Sequence, residues 1–145
     1  MLPRRATLIG LLLLVVAVAC GGPSTRLVTV RTPTGSGAID FTVKNLSSAA
    51  INTFYLAKTE RVTATGKERI DPNSPEGDAL WGPDLSGRAI GTGQSQPIKV
   101  PEPGNWDARA VDRDGREQLI THLHLGAGGK YILELNDGGW RVYSN

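Results

Sequence analysis

The sequence lacks a second cysteine, a large excess of charge and any apolar run long enough to cross a membrane. Its one cysteine cannot form an internal disulfide, so a hydrophobic core must stabilise the fold. The longest uncharged apolar run covers residues 6–19, whereas a transmembrane helix needs roughly twenty apolar residues. No basic cluster follows residue 5, and binding to nucleic acid is therefore not expected.

What the N-terminus does contain is two arginines, the short apolar run and the cysteine, in that order. Arg4 and Arg5 followed by an apolar run that ends in small residues are typical of a secretory signal peptide. The residues before and at Cys20, Ala-Val-Ala-Cys, resemble the lipobox of bacterial lipoproteins, with Ala17 where leucine is usual. We therefore predict a helical signal peptide over residues 1–19 and a tether over residues 20–25.

The lipobox resemblance implies that the Cys20 thiol carries a diacylglyceryl group and that cleavage falls between Ala19 and Cys20. Two or three acyl chains would hold the protein firmly, since each buried methylene contributes about 0.8 kcal/mol. The alternative is an ordinary signal peptide that leaves Cys20 as a spare thiol. Because Gly21 is not the aspartate that often marks inner-membrane retention in lipoproteins, we expect a lipid-anchored protein of the bacterial cell envelope. The outer membrane is favoured if the cell has two membranes.

Removing the predicted signal peptide removes the apparent basicity of the chain. Without Arg4 and Arg5 the sixteen basic residues become fourteen, which equals the number of acidic residues. A chain of this length and composition is expected to form a single domain over residues 26–145.

Short runs of alternating apolar and polar residues predict strands throughout this domain. The clearest run has Ile39, Phe41 and Val43 on one face, and others lie at residues 27–31, 51–58, 96–100 and 106–111. No stretch keeps a helical period for three turns. We predict an all-β fold, an antiparallel β-sandwich of about seven to eight strands that is immunoglobulin-like or a partly open barrel. The large aromatic residues of its core are expected to be Phe41, Trp106, Tyr131 and Trp140.

Two Asp-Gly pairs indicate hairpins in the second half of the chain. A two-residue type I′ turn at 114–115 would place Ala108 opposite Thr121, Trp106 opposite Leu123 and Asp107 opposite His122. A second such turn at 137–138 would pair Leu135 with Trp140 and Leu133 with Val142.

Residues 59–94 are predicted to form a long loop, rich in glycine and proline, in an otherwise economical chain. A small extra hairpin between residues 61–64 and 68–70 is one possibility for this segment. Long loops on a rigid domain often carry recognition, so Trp81, Asp84 and Arg88 are candidate partner-binding residues. The Trp81 ring is also expected to pin the loop to the domain.

Several stretches resemble a family of small exported bacterial β-domains: 51–57, Trp81-Gly82, Asp84-Leu85, Gly93-Gln94-Ser95, 106–111 and Asp114-Gly115. In this sequence Trp106 and Ala108 stand where the family has Tyr and Leu, and residues 59–80 would be an insertion. The resemblance implies a β-fold, and it implies no activity.

His122 and His124 are the candidates for metal binding. Two residues apart on a predicted strand, they would share one face, and Asp107 on the neighbouring strand would supply a third ligand. The alternative is that both histidines face solvent while Leu123 and Leu125 point inward.

Two hypotheses for function follow. The favoured one is a non-enzymatic envelope lipoprotein that binds a protein or glycan partner through the 59–94 loop and needs no cofactor. The alternative is a small metal-dependent hydrolase that uses His122, His124 and Asp107.

Overall fold

Seven strands and one short helix make up residues 23–142, the part of the chain that the computed structural model describes. The strands are β1 (Arg26–Arg31), β2 (Asp40–Asn45), β3 (Ile51–Lys58), β4 (Ser95–Pro97), β5 (Gly104–Asp112), β6 (Glu117–Leu125) and β7 (Lys130–Leu135). A 3₁₀ turn (Thr63–Thr65) and helix α1 (Pro75–Trp81) lie between β3 and β4. The predicted signal peptide and Cys20 lie outside the described residues.

The strands form two open sheets, which confirms the predicted all-β sandwich and rules out its barrel alternative. One sheet has the order β1-β7-β2-β4 and the other the order β3-β5-β6. The pairing of β2 with β7 is parallel, with Phe41 beside Tyr131 and Val43 beside Leu133. The prediction of a purely antiparallel sandwich is therefore wrong for this pair of strands. Parallel neighbours need a long crossover, and here the whole second sheet lies between the two strands in the chain.

The main core fills the space between the two sheets. The ring centroids of Phe41 on β2 and Phe54 on β3 lie 6.5 Å apart across this space. The predicted core residues Phe41, Trp106 and Tyr131 are buried, and Trp140 is half-buried against the same cluster. Ala108 is fully buried on the inner face of β5, where its small side chain lets the facing large residues approach.

The hairpin between β5 and β6 has a three-residue loop rather than the predicted two-residue turn. Gly115 takes the left-handed conformation with φ 78°, and the Asp112 carboxylate accepts hydrogen bonds from the backbone N–H groups of Asp114 and Arg116, both at 2.9 Å. These bonds favour the longer loop, which shifts the register near the turn by one residue. Ala108 consequently lies opposite Ile120 instead of Thr121.

A β-bulge in β6 returns the register to the predicted one farther along the hairpin. The pairing shifts between Trp106 and Ala108, and beyond the shift Trp106 lies opposite Leu123 as predicted. His122 absorbs the extra residue by adopting φ 58°, and it is the one residue other than glycine with positive φ among residues 23–142. The bulge therefore returns Leu123 and Leu125 to the inner face beyond the irregularity.

The hairpin predicted at Asp137-Gly138 is wrong. After β7 the chain crosses to the other sheet, where the backbone N–H of Arg141 donates to the Glu117 carbonyl at 2.9 Å and the reverse bond measures 2.8 Å. Gly138 instead donates its backbone N–H to the Pro23 carbonyl at 3.1 Å. Strand β6 and residues 23–24 thus bind the backbone groups that a hairpin would have used.

Residues 59–94 contain a helix that the sequence pattern did not predict, and residues 61–70 form no hairpin. Ser74 caps α1 by accepting the Gly77 N–H at 3.0 Å, and Pro75 occupies the first helical position. A side chain at Gly77 would come within 1.7 Å of the Asp71 carbonyl oxygen, so glycine is required at this crossing. The helix has seven residues, too few to produce a visible helical period in the sequence.

Candidate functional site

The outer face of the β3-β5-β6 sheet, which a simple sandwich would expose to water, is covered by residues 59–86, here called the covering segment. A second apolar cluster lies beneath it, formed by Tyr55 and Ala57 from β3 with Val62 and Trp81 from the segment. Strand β3 is consequently buried on both faces over residues 54–57. The segment is part of the packed domain and not a free loop.

Asp107 holds the first part of the covering segment. It follows Trp106 on β5, so its side chain points to the outer face, and it is 0% exposed. Its Oδ1 accepts from the Thr59 hydroxyl at 2.8 Å and from the His122 N–H at 3.0 Å. Its Oδ2 accepts from the Thr63 N–H at 3.1 Å and from the Thr63 hydroxyl. One carboxylate thus fixes both the segment and the bulge in β6.

Arg109, two residues farther along β5, holds the middle of the segment. Its Nη1 donates to the carbonyls of Glu68 at 3.2 Å and Ile70 at 2.8 Å, and its Nη2 donates to the Glu117 carboxylate. Its guanidinium carbon lies 5.8 Å from the centroid of the Trp81 ring. A planar fork with several donors suits these partners better than a lysine ammonium would.

Asp84 fastens the end of the segment to the edge of β3. Its Oδ1 accepts from the backbone N–H groups of Phe54 and Ser86, both at 2.9 Å, and from the Ser86 hydroxyl at 2.8 Å. The Leu85 N–H also donates to the Phe54 carbonyl at 2.8 Å. The candidate partner-binding residue Asp84 therefore has a structural role at this edge.

The other two candidate partner-binding residues differ in exposure. Trp81 is 2% exposed and pins the segment to the sheet, as predicted, so its ring presents no contact surface to a partner. Arg88 is exposed and lines a pocket of about 210 Å³ together with Gln94 and Ser95.

The three candidate metal ligands are not brought together as a metal-binding group. The Asp107 carboxylate is occupied by the threonines and the His122 backbone, as described above. Both histidines are exposed while Leu123 and Leu125 are buried, and the His124 Nδ1 lies 3.0 Å from the Asn105 Oδ1. Within residues 23–142 no cluster of three metal-ligating side chains is present.

The covering segment forms a pocket on its solvent side. The pocket measures about 470 Å³, and its lining includes Tyr55, Asn73, Ser74, Asp78, Pro83 and Asp84. Two carboxylates, an amide and hydroxyl groups stand beside proline rings, and no basic side chain lines it. Such a concave surface offers hydrogen-bond acceptors and donors next to apolar area.

The pocket was not anticipated because its lining comes from separate turns that only the fold brings together. One local signal was available: Ser74-Pro75-Glu76 is a typical helix start, and that helix carries Asp78 into the lining.

Comparison with protein-family models, curated proteins and solved structures finds no match to this chain. Within residues 23–142 there is also no helix long and apolar enough to span a membrane.

Proposed function

We propose that this protein is a lipid-anchored lipoprotein of the bacterial cell envelope that acts by binding and not by catalysis. Cys20 is the lipidated residue, and the domain that follows binds an envelope protein or a glycan. In a cell with two membranes the anchor is in the outer one. The support for the anchor is the signal-like N-terminus with its lipobox resemblance.

One observation carries the binding role. Three fully or largely hydrogen-bonded side chains, Asp107, Arg109 and Asp84, hold an irregular segment against a sheet face. In many antiparallel sandwiches the outer face of a sheet is polar and exposed to water, and no covering segment is needed. The segment adds a pocket of about 470 Å³ to the surface, and binding of a partner at that pocket is the role that accounts for the segment.

The charged groups of β5 beneath the covering segment are already engaged. Both Asp107 oxygens accept hydrogen bonds from within the domain, and the Arg109 guanidinium is held between Glu117 and two carbonyls. These groups are therefore assigned to holding the segment in place, and the exposed pocket lining is assigned to recognition.

The anchor is tested by labelling cells with an alkyne analogue of palmitate and identifying the modified residue by mass spectrometry. Label should appear on the wild-type protein and disappear in Cys20→Ser. A matched control combines Cys20→Ser with Ser24→Cys, which keeps one cysteine nearby but outside the lipobox. Equal labelling of this control would show that the lipobox does not direct the modification.

The binding role is tested by placing a photo-crosslinking amino acid in the pocket in living cells. Asn73 is the pocket position, and Glu60, exposed outside the pocket, is the control position. A discrete adduct is expected from position 73 and not from position 60, and it should be lost in Asp78→Arg. Identical adducts from both positions, or none from position 73, would argue against a binding site there.

A further inference from the structure

One end of the sandwich, here called the tether end, collects the first described residues and three chain segments. Pro23 and Ser24 accept hydrogen bonds from Gly138 N–H and from the Asn136 side-chain amide, both at 3.1 Å. The turn at residues 46–50 joins them, since Ser48 donates its N–H and hydroxyl to Asp137, each at 2.8 Å. The loop at 113–115 lies at the same end, because the Arg113 N–H donates to the Ala50 carbonyl at 3.0 Å.

The chain between the proposed anchor and this end is very short. Three residue steps separate Cys20 from Pro23, and a fully extended chain covers at most about 11 Å over that distance. If Cys20 is lipidated, as proposed above, Pro23 therefore lies within about 11 Å of the lipid-bearing residue, whatever path the chain takes.

The tether end also has the apolar surface that a bilayer contact requires. The exposed large hydrophobic residues among residues 23–142 are Val30, Leu46 and Val142, and the last two lie at this end. Leu46 is 39% exposed and follows the end of β2, while Val142 is 76% exposed and follows the Arg141 bridge to β6. Each would extend toward the membrane from a separate segment.

Polar groups that suit headgroups surround these two residues. Arg113 and Arg141 are exposed at the same end, where guanidinium groups can reach lipid phosphates. A depression of about 550 Å³ opens beside the start of the described chain, and its lining includes Pro23, Leu46 and the ion pair of Arg26 with Glu134. The carboxylates of Asp114 and Asp137 are exposed at this end too, so the apolar side chains, ringed by charged groups of both signs, provide the contact with the membrane interface.

We propose that the tether end rests directly on the phospholipid surface, with Leu46 and Val142 at the boundary between headgroups and acyl chains. The inference depends on the proposed lipid anchor and adds the orientation of the domain. The opposite end, with the loops at 32–38, 101–103 and 126–129, then faces away from the anchoring membrane.

The orientation is tested with the full-length lipoprotein carrying one added cysteine. A lipidated Cys20 has no free thiol, so a cysteine at position 46, 142 or 30 is the single site for an environment-sensitive fluorophore. Each variant is reconstituted in vesicles of phosphatidylethanolamine and phosphatidylglycerol that contain a lipid with a nitroxide on its headgroup. Val30→Cys is the matched control, because Val30 is also exposed and apolar but lies seven residues, about 23 Å of strand, beyond Pro23.

Fluorophores at positions 46 and 142 should shift to shorter wavelength and be quenched, while the one at position 30 should not. Equal quenching at all three positions, or none at 46 and 142, would overturn the orientation. Should Leu46→Cys fail to fold, Val142→Cys decides alone, since that side chain is 76% exposed.

Mass spectrometry of the same samples separates this inference from the anchor. An unmodified Cys20 together with failure to float with the vesicles would overturn both proposals. A lipidated Cys20 on a floating protein whose probes at 46 and 142 match the probe at 30 would overturn the orientation alone.

Discussion

Replacing Asp107 by alanine should release the start of the covering segment and cost a large part of the stability of the domain. The substitution removes a fully buried carboxylate that accepts hydrogen bonds from Thr59, Thr63 and the His122 backbone. The two threonine hydroxyls can rotate toward other acceptors, but the N–H groups of Thr63 and His122 cannot.

The magnitude follows from these two stranded donors. A buried donor left without an acceptor costs about 1–3 kcal/mol, and because these two hydrogen bonds are only partly buried, the lower half of that range applies and the pair predicts a loss of about 2–4 kcal/mol. The free energy of unfolding of a native domain is roughly 5–15 kcal/mol, so the loss is a large fraction of the total. At roughly 4 °C per kcal/mol, the melting temperature should fall by roughly 8–16 °C.

Urea unfolding of the chain from Gly21 onward measures the free energy, and hydrogen exchange measures the local effect. The amides of residues 59–65 should lose protection in Asp107→Ala before those of β5 do. Asp114→Ala is the matched control, because Asp114 is an exposed carboxylate in the neighbouring loop, and it should change stability by less than about 0.5 kcal/mol. A loss under about 1 kcal/mol for Asp107→Ala, or unchanged exchange at 59–65, would refute the role given to this carboxylate.

Three further outcomes are expected. Arg109→Lys should lower the free energy of unfolding by about 1–3 kcal/mol in urea unfolding, because one ammonium group cannot replace the planar guanidinium that bonds two carbonyls and a carboxylate. A variant as stable as the wild type would contradict this. The Ser48 N–H, and after it the Ser48 hydroxyl, lowers the pKa of Asp137 below 3.8, so this contact stabilises the fold above about pH 4 and is lost as pH falls through the folded pKa. Ser48→Ala should raise that pKa only in part, as followed by NMR titration, since the backbone bond remains, and an unchanged pKa would remove the hydroxyl from the explanation. His122→Gly should leave the free energy of unfolding unchanged or raise it by up to about 1 kcal/mol, because His122 has a positive φ that glycine adopts freely. His124→Gly should lower it by about 1 kcal/mol in the same urea unfolding measurement, and equal losses would contradict the bulge.

The strand pattern was predictable because burial on one face imposes a two-residue period. Phe41 and Val43 alternate with polar residues on β2, and the buried residues Tyr131, Leu133 and Leu135 alternate with half-buried ones on β7. That two such strands lie side by side in parallel was not predictable from either one. Their pairing depends on how the chain between them packs into the second sheet.

The hairpins show where local signals lose to longer-range contacts. Asp114-Gly115 did mark a turn, but the Asp112 carboxylate selected a loop one residue longer, and the His122 bulge then restored the register. Asp137-Gly138 has the same dipeptide and forms no hairpin, because β6 and the first described residues offer partners to the chain beyond β7.

The candidate site was the least predictable part of the molecule. Asp107 and Arg109 alternate with alanines on β5, which is the pattern of a solvent-facing side of a strand. Nothing in that pattern distinguishes a carboxylate in water from one that receives three hydrogen bonds from a covering segment. The distinction arises from Thr59 and Thr63, which lie 48 and 44 positions earlier in the chain than Asp107.

The sequence by itself determined the β-class of the domain, its principal core residues and the expectation of a lipid anchor at Cys20. These depend on local order: alternation along a strand, and a cysteine directly after a short apolar run. The tertiary structure decided which face of the second sheet is covered, what occupies Asp107 and Arg109, and which loops share an end with the start of the described chain. Those features depend on contacts between residues far apart in sequence, and the energy of such contacts exists only once the two sheets have packed.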